Sequence, residues 1–154
     1  MEIKKATLAD LEEIMSLWHD LTTYKVNLEP YLTLAKDHIQ TARDYLSGKL
    51  LDPDTIVLLA RENGRAVGYL MGFVIFPPPV FTPRKIGFIN EVAVADEFRR
   101  RGIGTSLVNE AVAWFHSRGA NSVELSVYAK NQVAKEFWHK LGFAEIRAGL
   151  AREI

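Results

Sequence analysis

The chain has 154 residues, 48% of them hydrophobic and 25% charged, which is the size and composition of one globular domain with a buried core. Nineteen basic and nineteen acidic residues cancel, so the chain lacks the strongly basic surface typical of nucleic-acid-binding proteins. The absence of cysteine excludes disulfides, thiolate metal sites and a cysteine nucleophile. We therefore predict a single domain over residues 1–154.

The N-terminus and the hydropathy pattern bear on location. Met1–Lys5 is charged, and no run approaches the roughly 18 apolar residues of a transmembrane helix. We expect a cytoplasmic protein that has neither a membrane nor a nucleic acid as its partner.

The first third of the chain predicts one strand and two helices. Ile3–Ala6 is typical of a short strand. Thr7 and Asp10 stand at capping-box spacing, before apolar residues that recur at helical intervals as far as Leu21. A second helix is predicted over Leu34–Leu46, ending near Gly48.

The middle of the chain predicts a β-hairpin. Thr55–Arg61 and Val67–Phe76 are rich in β-branched and aromatic residues. Asn63-Gly64 lies between them and favours a tight turn, because both residues tolerate positive φ. The run Pro77-Pro78-Pro79 ends the second strand, because proline cannot donate to a sheet.

The second half of the chain alternates strands and helices. The predicted strands are Lys85–Ala95, Ser122–Val127 and Phe143–Arg147, and the predicted helices are Gly102–Ser117 and Asn131–Leu141. The order of all elements predicts an α/β (α+β) fold: a central mixed, mostly antiparallel sheet of six to seven strands, flanked by about four helices.

The segment Arg99–Gly104 has the features of a phosphate-binding loop. It follows a strand, contains three arginines and a Gly-x-Gly, and opens a helix. The first N–H groups of a helix lack intrahelical partners and carry the positive end of its dipole, which suits a pyrophosphate. Arginines add charge and paired donors. The alternative is a solvated basic turn whose glycines serve packing.

Two other phosphate motifs fit this segment less well. A Walker loop needs a lysine and then Ser or Thr after its last glycine, whereas Thr105 and Ser106 follow Gly104 directly. A dinucleotide fingerprint needs a third glycine where Leu107 stands. The strand before such a fingerprint should also be the first of a repeated βαβ series, whereas this strand is the fourth in the chain.

At this point the sequence resembles the GNAT family of N-acetyltransferases. The family signature, Arg/Gln-x-x-Gly-x-Gly/Ala after a strand, matches Arg99–Gly104. A second family segment, Asn-x-x-Ala followed by an aromatic pair and Gly-Phe, matches Asn131–Phe143. The resemblance implies a GNAT-like fold, acetyl-CoA as co-substrate, and two central parallel strands that splay apart around the thioester.

The resemblance also implies which residues contact the cofactor. The central strand should offer backbone groups to the pantetheine arm, and the loop should hold the pyrophosphate through backbone N–H groups. The residues so assigned are Val92, Ala93, Val94, Arg99, Arg100, Arg101, Gly102, Ile103, Gly104, Thr105 and Asn131. Trp138 is added as a residue that lines the cofactor slot, and its alternative is a core aromatic of its helix. We expect no metal site, because the four histidines lie apart in the sequence.

Glu91 is the candidate general base for direct transfer to a neutral amine. It interrupts an apolar run in the predicted central strand, and a buried carboxylate is costly unless it is paired or functional. Some relatives use a glutamate at this place to draw the proton through water. The alternative is a carboxylate on the polar face of a half-exposed strand.

Trp138 and Ser126 depart from the family pattern. Many members have a tyrosine at the place of Trp138, as acid for the leaving thiolate, and an indole N–H cannot supply that proton. Tyr128 is the substitute donor that we assign, and a packing or surface role is its alternative. Ser126 stands where the subgroup that acetylates ribosomal-protein N-termini has a glutamate as general base. Serine cannot serve as that base unaided, so membership of this subgroup is disfavoured.

Three functions remain open at this stage. The first is acetylation of a small-molecule amine, with the acceptor between the first two helices and the loop Phe76–Phe88. The second is acetylation of a protein or peptide, which needs a long open groove. The third is a catalytically degenerate acetyl-CoA sensor. A homodimer is compatible with the stiff stretch Pro77–Pro83.

Overall fold

The computed structural model describes all 154 residues. Five strands and four α-helices make up the fold: β1 Glu2–Lys5, α1 Leu11–Leu28, α2 His38–Leu51, β2 Thr55–Glu62, β3 Arg65–Ile75, β4 Ile86–Val94, α3 Ile103–Ser117, β5 Ser122–Leu125 and α4 Gln132–Lys140. Short 3-10 turns precede α1 and α3. None of the helices has both the length and the apolar composition that crossing a bilayer requires.

The strands form one mixed sheet in the order β1-β2-β3-β4-β5. The first four strands are antiparallel neighbours, and β5 lies parallel to β4 at the edge. Asn63 and Gly64 close the β2–β3 hairpin with φ of 49° and 80°, as their sequence predicted. The prediction of an α+β fold, with one mixed, mostly antiparallel sheet and four helices, is therefore confirmed.

The predicted last strand at Phe143–Arg147 is wrong, so the sheet has five strands instead of six to seven. The chain beyond α4 makes no backbone hydrogen bonds to the edge strand β5. Leu150 is 97% exposed, and Arg147 forms an ion pair with Glu124 of β5 at 3.0 Å. Alternating apolar and polar residues predict which side chains of a strand would face the core. A strand forms, however, only where its backbone can hydrogen-bond to a neighbouring strand.

The second helix also differs from its prediction. It begins at His38, later than expected, and runs through Gly48 to Leu51. A glycine weakens a helix by about 1 kcal/mol, and packing outweighs that cost here because Leu46 is buried against the sheet.

Helices cover both faces of the sheet. α3 and α4 pack on one face, in a core centred on the fully buried Phe115. α1 and α2 pack on the other face, where Ile14 and Leu46 are buried. Leu70 belongs to the first core and its neighbour Tyr69 to the second, as the alternation of side chains along a strand requires.

Arg61 ties α1 to the β2–β3 hairpin. Its guanidinium contacts the carboxylates of Asp10 and Glu13 at 2.8 and 2.6 Å and also donates to the Gly64 carbonyl. The Thr7 backbone N–H, and after it Arg61, holds the pKa of Asp10 below its ordinary value. These contacts fix the start of α1, whose later turns reach the site described below.

Two glycines allow α3 to approach the sheet closely. A Cβ on Gly87 would overlap the Phe115 ring at Cγ, and one on Gly72 would lie 2.8 Å from Phe115 Cζ. Phe115 therefore rests directly on the backbone of β3 and β4. Because protein cores are close-packed, neither position has room for a larger residue.

We expect Gly87→Ala to lower the free energy of unfolding by about 1–3 kcal/mol, because the added methyl overpacks the core against Phe115. Gly48→Ala is the matched control: it lies in α2 with no atom within 4 Å of the added Cβ, and it should raise stability by roughly 0.5–1 kcal/mol. Urea unfolding of both variants measures the two changes. Equal changes of one sign would contradict the assigned packing of Phe115.

Candidate active site

The site begins where β4 and β5 part. The two parallel strands pair from Ile86–Ser122 to Ile89–Leu125, where β5 ends. β4 continues to Val94 with its outer edge open. The predicted strand Ser122–Val127 is thus shorter than expected, and the gap that follows is the splay that the family resemblance implied.

A bulge in β4 sets the direction of the residues beside this gap. Met71 pairs with Glu91 and Gly72 with Ile89, so Asn90 has no partner on β3. An extra residue of this kind bends a strand and re-aims the side chains that follow. The bulge therefore stands at the point where the two strands separate.

The backbone of β4 presents free hydrogen-bonding groups to the gap. Ala95 N–H donates to Val67 O on β3 at 2.8 Å. Because backbone groups alternate between the two sides of a strand, Val92 and Val94 direct theirs away from β3. The Val94 carbonyl accepts from Arg99 Nε at 3.2 Å, in agreement with this direction. The N–H groups of Val92 and Val94 stay available to a ligand.

The loop after β4 holds six consecutive backbone N–H groups without a partner. Arg99 N–H donates to Asp96 O, and the next backbone donor is Ser106 N–H, which reaches Gly102 O at 2.9 Å. The N–H groups of residues 100–105 donate no hydrogen bond within the chain. Free N–H groups at a helix N-terminus are a ready anion site.

Left-handed backbone conformations shape this loop. Gly102 has φ of 81° at the N-cap of α3, and Arg100 has φ of 61°. A positive φ in a residue with a side chain costs about 1–2 kcal/mol, so the surrounding structure must hold Arg100 in place. Turns of this type direct successive N–H groups into one concavity that suits an anion.

The three arginines have different surroundings. Arg99 braces the loop against the end of β4 and pairs with Asp96 at 3.0 Å. Arg100 and Arg99 line the cavity described next, but Arg101 does not. The Arg101 guanidinium lies over the Phe98 ring, 5.1 Å from its centroid, and Arg65 lies 5.4 Å from the same centroid. Arg101 therefore stabilises the loop through Phe98.

A cavity of about 810 Å³ runs along the open edge of β4, within the size range of small-molecule sites. It brings together nearly all the residues assigned from the sequence. Those lining it are Glu91, Val92, Ala93, Val94, Arg99, Arg100, Gly102, Ile103, Gly104, Thr105, Tyr128, Asn131 and Trp138. Ile103 is 2% exposed as a whole residue, because its side chain belongs to the core beneath α3.

Helix α1 forms the opposite wall, through Leu17, Asp20, Leu21, Tyr24 and Lys25. The expectation that the acceptor region also involves the second helix and the loop Phe76–Phe88 finds no support, because neither lines the cavity. The first helix was expected beside the acceptor, but the sequence did not indicate which of its residues form the wall, since the buried stripe of a helix and a cavity wall have the same apolar spacing.

Two contacts join the end of α1 to the start of α4 beside the cavity. Tyr24 Oη donates to Asn131 Oδ1 at 3.5 Å, and Lys130 Nζ pairs with Glu29 Oε2 at 3.3 Å. Asn131 Oδ1 also accepts from Ala134 N–H, which confirms Asn131 as the N-cap of α4. The amide nitrogen of Asn131 has no partner within the chain.

Trp138 is fixed in an aromatic stack. Its ring centroid lies 4.8 Å from that of Phe137 and 5.2 Å from that of Phe143, and the residue is 8% exposed. Gly142 has φ of 91°, and Phe143 N–H donates back to Trp138 O at 3.1 Å, which is a Schellman end to α4. Trp138 is thus a core residue with one side on the cavity.

The two candidate catalytic residues both line the cavity. Glu91 is half-buried and accepts a short hydrogen bond from Tyr69 Oη. Tyr128 is 39% exposed, and its hydroxyl makes no hydrogen bond within the chain. Ser126 lines the cavity as well. No three histidine, aspartate or glutamate side chains lie close enough together to hold a metal ion.

The fold places a loop of free backbone N–H groups beside the open edge of a parted sheet, and this arrangement suits a phosphorylated ligand. The model of the acetyltransferase (GNAT) family matches residues 11–143. The chain belongs to this family and is by family an N-acetyltransferase, an enzyme of the acyltransferase class.

Relatives in sequence carry related descriptions. MJ1207 of Methanocaldococcus jannaschii, described as an N-acetyltransferase, is 30% identical over 93% of this chain, and the match spans 60% of that longer protein. The aminoalkylphosphonate N-acetyltransferase of Salmonella typhimurium is 26% identical over 94% of this chain and 85% of that protein.

Solved structures share the fold. A tetramutant of the BH1408 protein from Bacillus halodurans has a TM-score of 0.90 at 21% identity, over the whole of both chains. The aminoglycoside N-acetyltransferase AAC(6')-Iy, in complex with CoA, has a TM-score of 0.75 at 16% identity, over 99% of each chain.

We expect Gly102→Asp to abolish acetyl-CoA binding, because it places a carboxylate among the free N–H groups. Gly64→Asp is the matched control, since Gly64 has a φ of 80° against 81° for Gly102 and equally open surroundings, but lies in the hairpin. Both variants should show similar backbone strain, and only the loop variant should lose affinity in calorimetric titration. Retained affinity in Gly102→Asp would refute this placement of the anion site.

Proposed function

We propose that the chain transfers the acetyl group of acetyl-CoA to a primary amine of a small molecule, directly and with both substrates bound. One observation carries this proposal: a single cavity contains the loop of free N–H groups, the open edge of β4 and the Glu91 carboxylate. The loop suits a phosphorylated ligand, and the carboxylate suits proton transfer from an amine beside it.

The residues fit acetyl-CoA by the chemistry of their donors. The six free N–H groups of residues 100–105 match a pyrophosphate, which has many acceptor oxygens and no donors. The free N–H groups of Val92 and Val94 match the carbonyl oxygens of a pantetheine arm and its thioester, in the way that a strand edge donates to a neighbouring strand. The Asn131 amide nitrogen is a further donor. Acetyl-CoA supplies an acetyl group activated as a thioester.

Glu91 is the base in this proposal. It is the carboxylate on β4 at the gap, and one of its oxygens makes no hydrogen bond within the chain. An amine must be neutral to attack, so a carboxylate that removes its proton, directly or through water, promotes transfer. The free N–H of Val94 is an available donor for the thioester carbonyl.

Tyr128 is the donor that we assign for the leaving thiol. Its hydroxyl lines the cavity and has no partner within the chain, so it is free to donate. Trp138 occupies the position of the family's tyrosine but cannot give a proton, and its stacking on Phe137 and Phe143 makes it a wall.

A small-molecule acceptor is favoured over a peptide. The Tyr24–Asn131 and Glu29–Lys130 contacts bridge the cavity beside its α1 wall, where an extended peptide would need an open groove. The relatives named for aminoalkylphosphonates and aminoglycosides support the same class of acceptor. Position 138 has tryptophan, which cannot donate a proton to the leaving thiolate. This favours one alternative function, a domain that binds acetyl-CoA without turnover.

We predict that the purified protein releases CoA thiol from acetyl-CoA when offered small primary amines, and faster than with a lysine peptide. The panel comprises an aminoalkylphosphonate, an aminoglycoside, a polyamine and that peptide. Glu91→Gln should lower kcat by roughly 10²–10⁴-fold, the usual effect of removing a general base. Glu136→Gln removes another carboxylate from the cavity wall and should leave kcat near that of the parent chain.

The assay separates the alternatives. Tight acetyl-CoA binding without turnover of any amine would favour the sensor and refute the enzyme proposed here. Preference for the peptide would refute the small-molecule assignment. An unchanged kcat in Glu91→Gln would remove Glu91 as the base.

A further inference from the structure

Tyr69 is a fully buried tyrosine in the middle of the sheet. It lies on β3, with 0% of its surface exposed, among apolar residues of the core beneath α1 and α2. A phenol hydroxyl that leaves water needs a hydrogen-bond partner to offset its desolvation. The partner of Tyr69 Oη within the chain is Oε2 of Glu91.

The sheet register explains why these two side chains meet. Tyr69 pairs with Ala93, and Glu91 pairs with Met71, so Tyr69 and Glu91 are diagonal neighbours on adjacent strands. Diagonal neighbours on one face lie about 7–8 Å apart at the backbone, which a tyrosine spans easily. The bulge at Asn90 brings Glu91 to this face just where the cavity opens.

The remaining surroundings leave Glu91 otherwise unrestrained. Tyr69 Oη is its hydrogen-bond partner within the chain, and no lysine or arginine pairs with it. Tyr45 of α2 is near enough that the Glu91 charge, after burial, raises the pKa of its phenol. Asp20 and Lys25 of α1 are the charged residues on the facing wall of the cavity. Neither has an ion-pair partner in the chain.

We propose that Tyr69 is a positioning residue for the reaction: it holds one oxygen of Glu91 so that the other faces the acceptor amine. This proposal rests on the proposed function, because it assigns Glu91 the role of base. A single strong donor from the rigid sheet restricts the carboxylate to one orientation, and small displacements of a reacting group are costly to rate.

Tyr69 acts as a donor only. Burial, and after it the Glu91 charge, holds the pKa of Tyr69 well above the ordinary value of about 10. The phenol therefore keeps its proton throughout the range in which an acetyltransferase is assayed, and it cannot replace Glu91 as the base.

A double-mutant cycle tests the positioning role, with acetyl-CoA and the fastest amine of the panel as substrates. Tyr69→Phe should lower kcat by roughly 10- to 100-fold with little change in the KM for acetyl-CoA. In a Glu91→Gln background, Tyr69→Phe should have no further effect on kcat, because Tyr69 acts through the carboxylate. Tyr45→Phe removes a neighbouring hydroxyl that makes no hydrogen bond, and its kcat should match the parent chain.

The outcomes are distinguishable. If the reductions in kcat caused by Tyr69→Phe and Glu91→Gln multiply in the double variant, Tyr69 acts independently of Glu91, through the fold. That result would overturn the positioning role and leave the proposed function intact. If Glu91→Gln alone leaves kcat unchanged, Glu91 is not the base, and the positioning role of Tyr69 is overturned as well. If Tyr69→Phe does not fold, Glu91→Asp takes its place, since the shorter side chain loses its reach to Tyr69. Full kcat in that variant would overturn the proposal.

A crystal structure of Tyr69→Phe gives a readout independent of activity. We expect the Glu91 carboxylate to occupy more than one conformation there, and a single conformation in Tyr45→Phe. A single, unchanged Glu91 conformation in Tyr69→Phe would overturn the positioning role even if the rates had fallen.

Discussion

The parting of two parallel strands is the constraint on which the site depends. β4 and β5 are neighbours as far as Ile89 and Leu125, and beyond this point β4 has no partner on that side. An unpaired strand edge inside a protein leaves backbone donors and acceptors that only water or a ligand can satisfy. The same gap lets residues on β4 contact a cavity about 810 Å³ in volume.

The sheet separates the two halves of the proposed reaction. The anion loop and α4 lie with the core of α3, whereas Glu91 and Tyr69 lie with α1 and α2. Alternation along β4 makes this possible, because neighbouring residues serve opposite faces. The bulge at Asn90 shifts that alternation at the gap. Close packing of Phe115 on Gly72 and Gly87 keeps the scaffold of these strands rigid.

Sequence reasoning succeeded where local chemistry decides the structure. The Asn63-Gly64 turn, the loop at Gly102 and the Gly142 end of α4 depend on backbone conformations that few residues adopt, so the residue types predict them. The contact of Tyr69 with Glu91 depends on strand register, which is set by distant partners. Dependence on distant partners also explains why the predicted last strand is wrong. Phe143–Arg147 has a strand-like pattern but does not pair with another strand.

The central claim is that free N–H groups at the parted edge hold acetyl-CoA, and amide NMR tests it most directly. In a titration of the ¹⁵N-labelled chain with acetyl-CoA, we predict the largest shifts at residues 100–105 and at Val92 and Val94. The amides of Asn63 and Gly64, in the hairpin, should not move. Binding that leaves the loop amides unshifted and perturbs another surface would contradict the account.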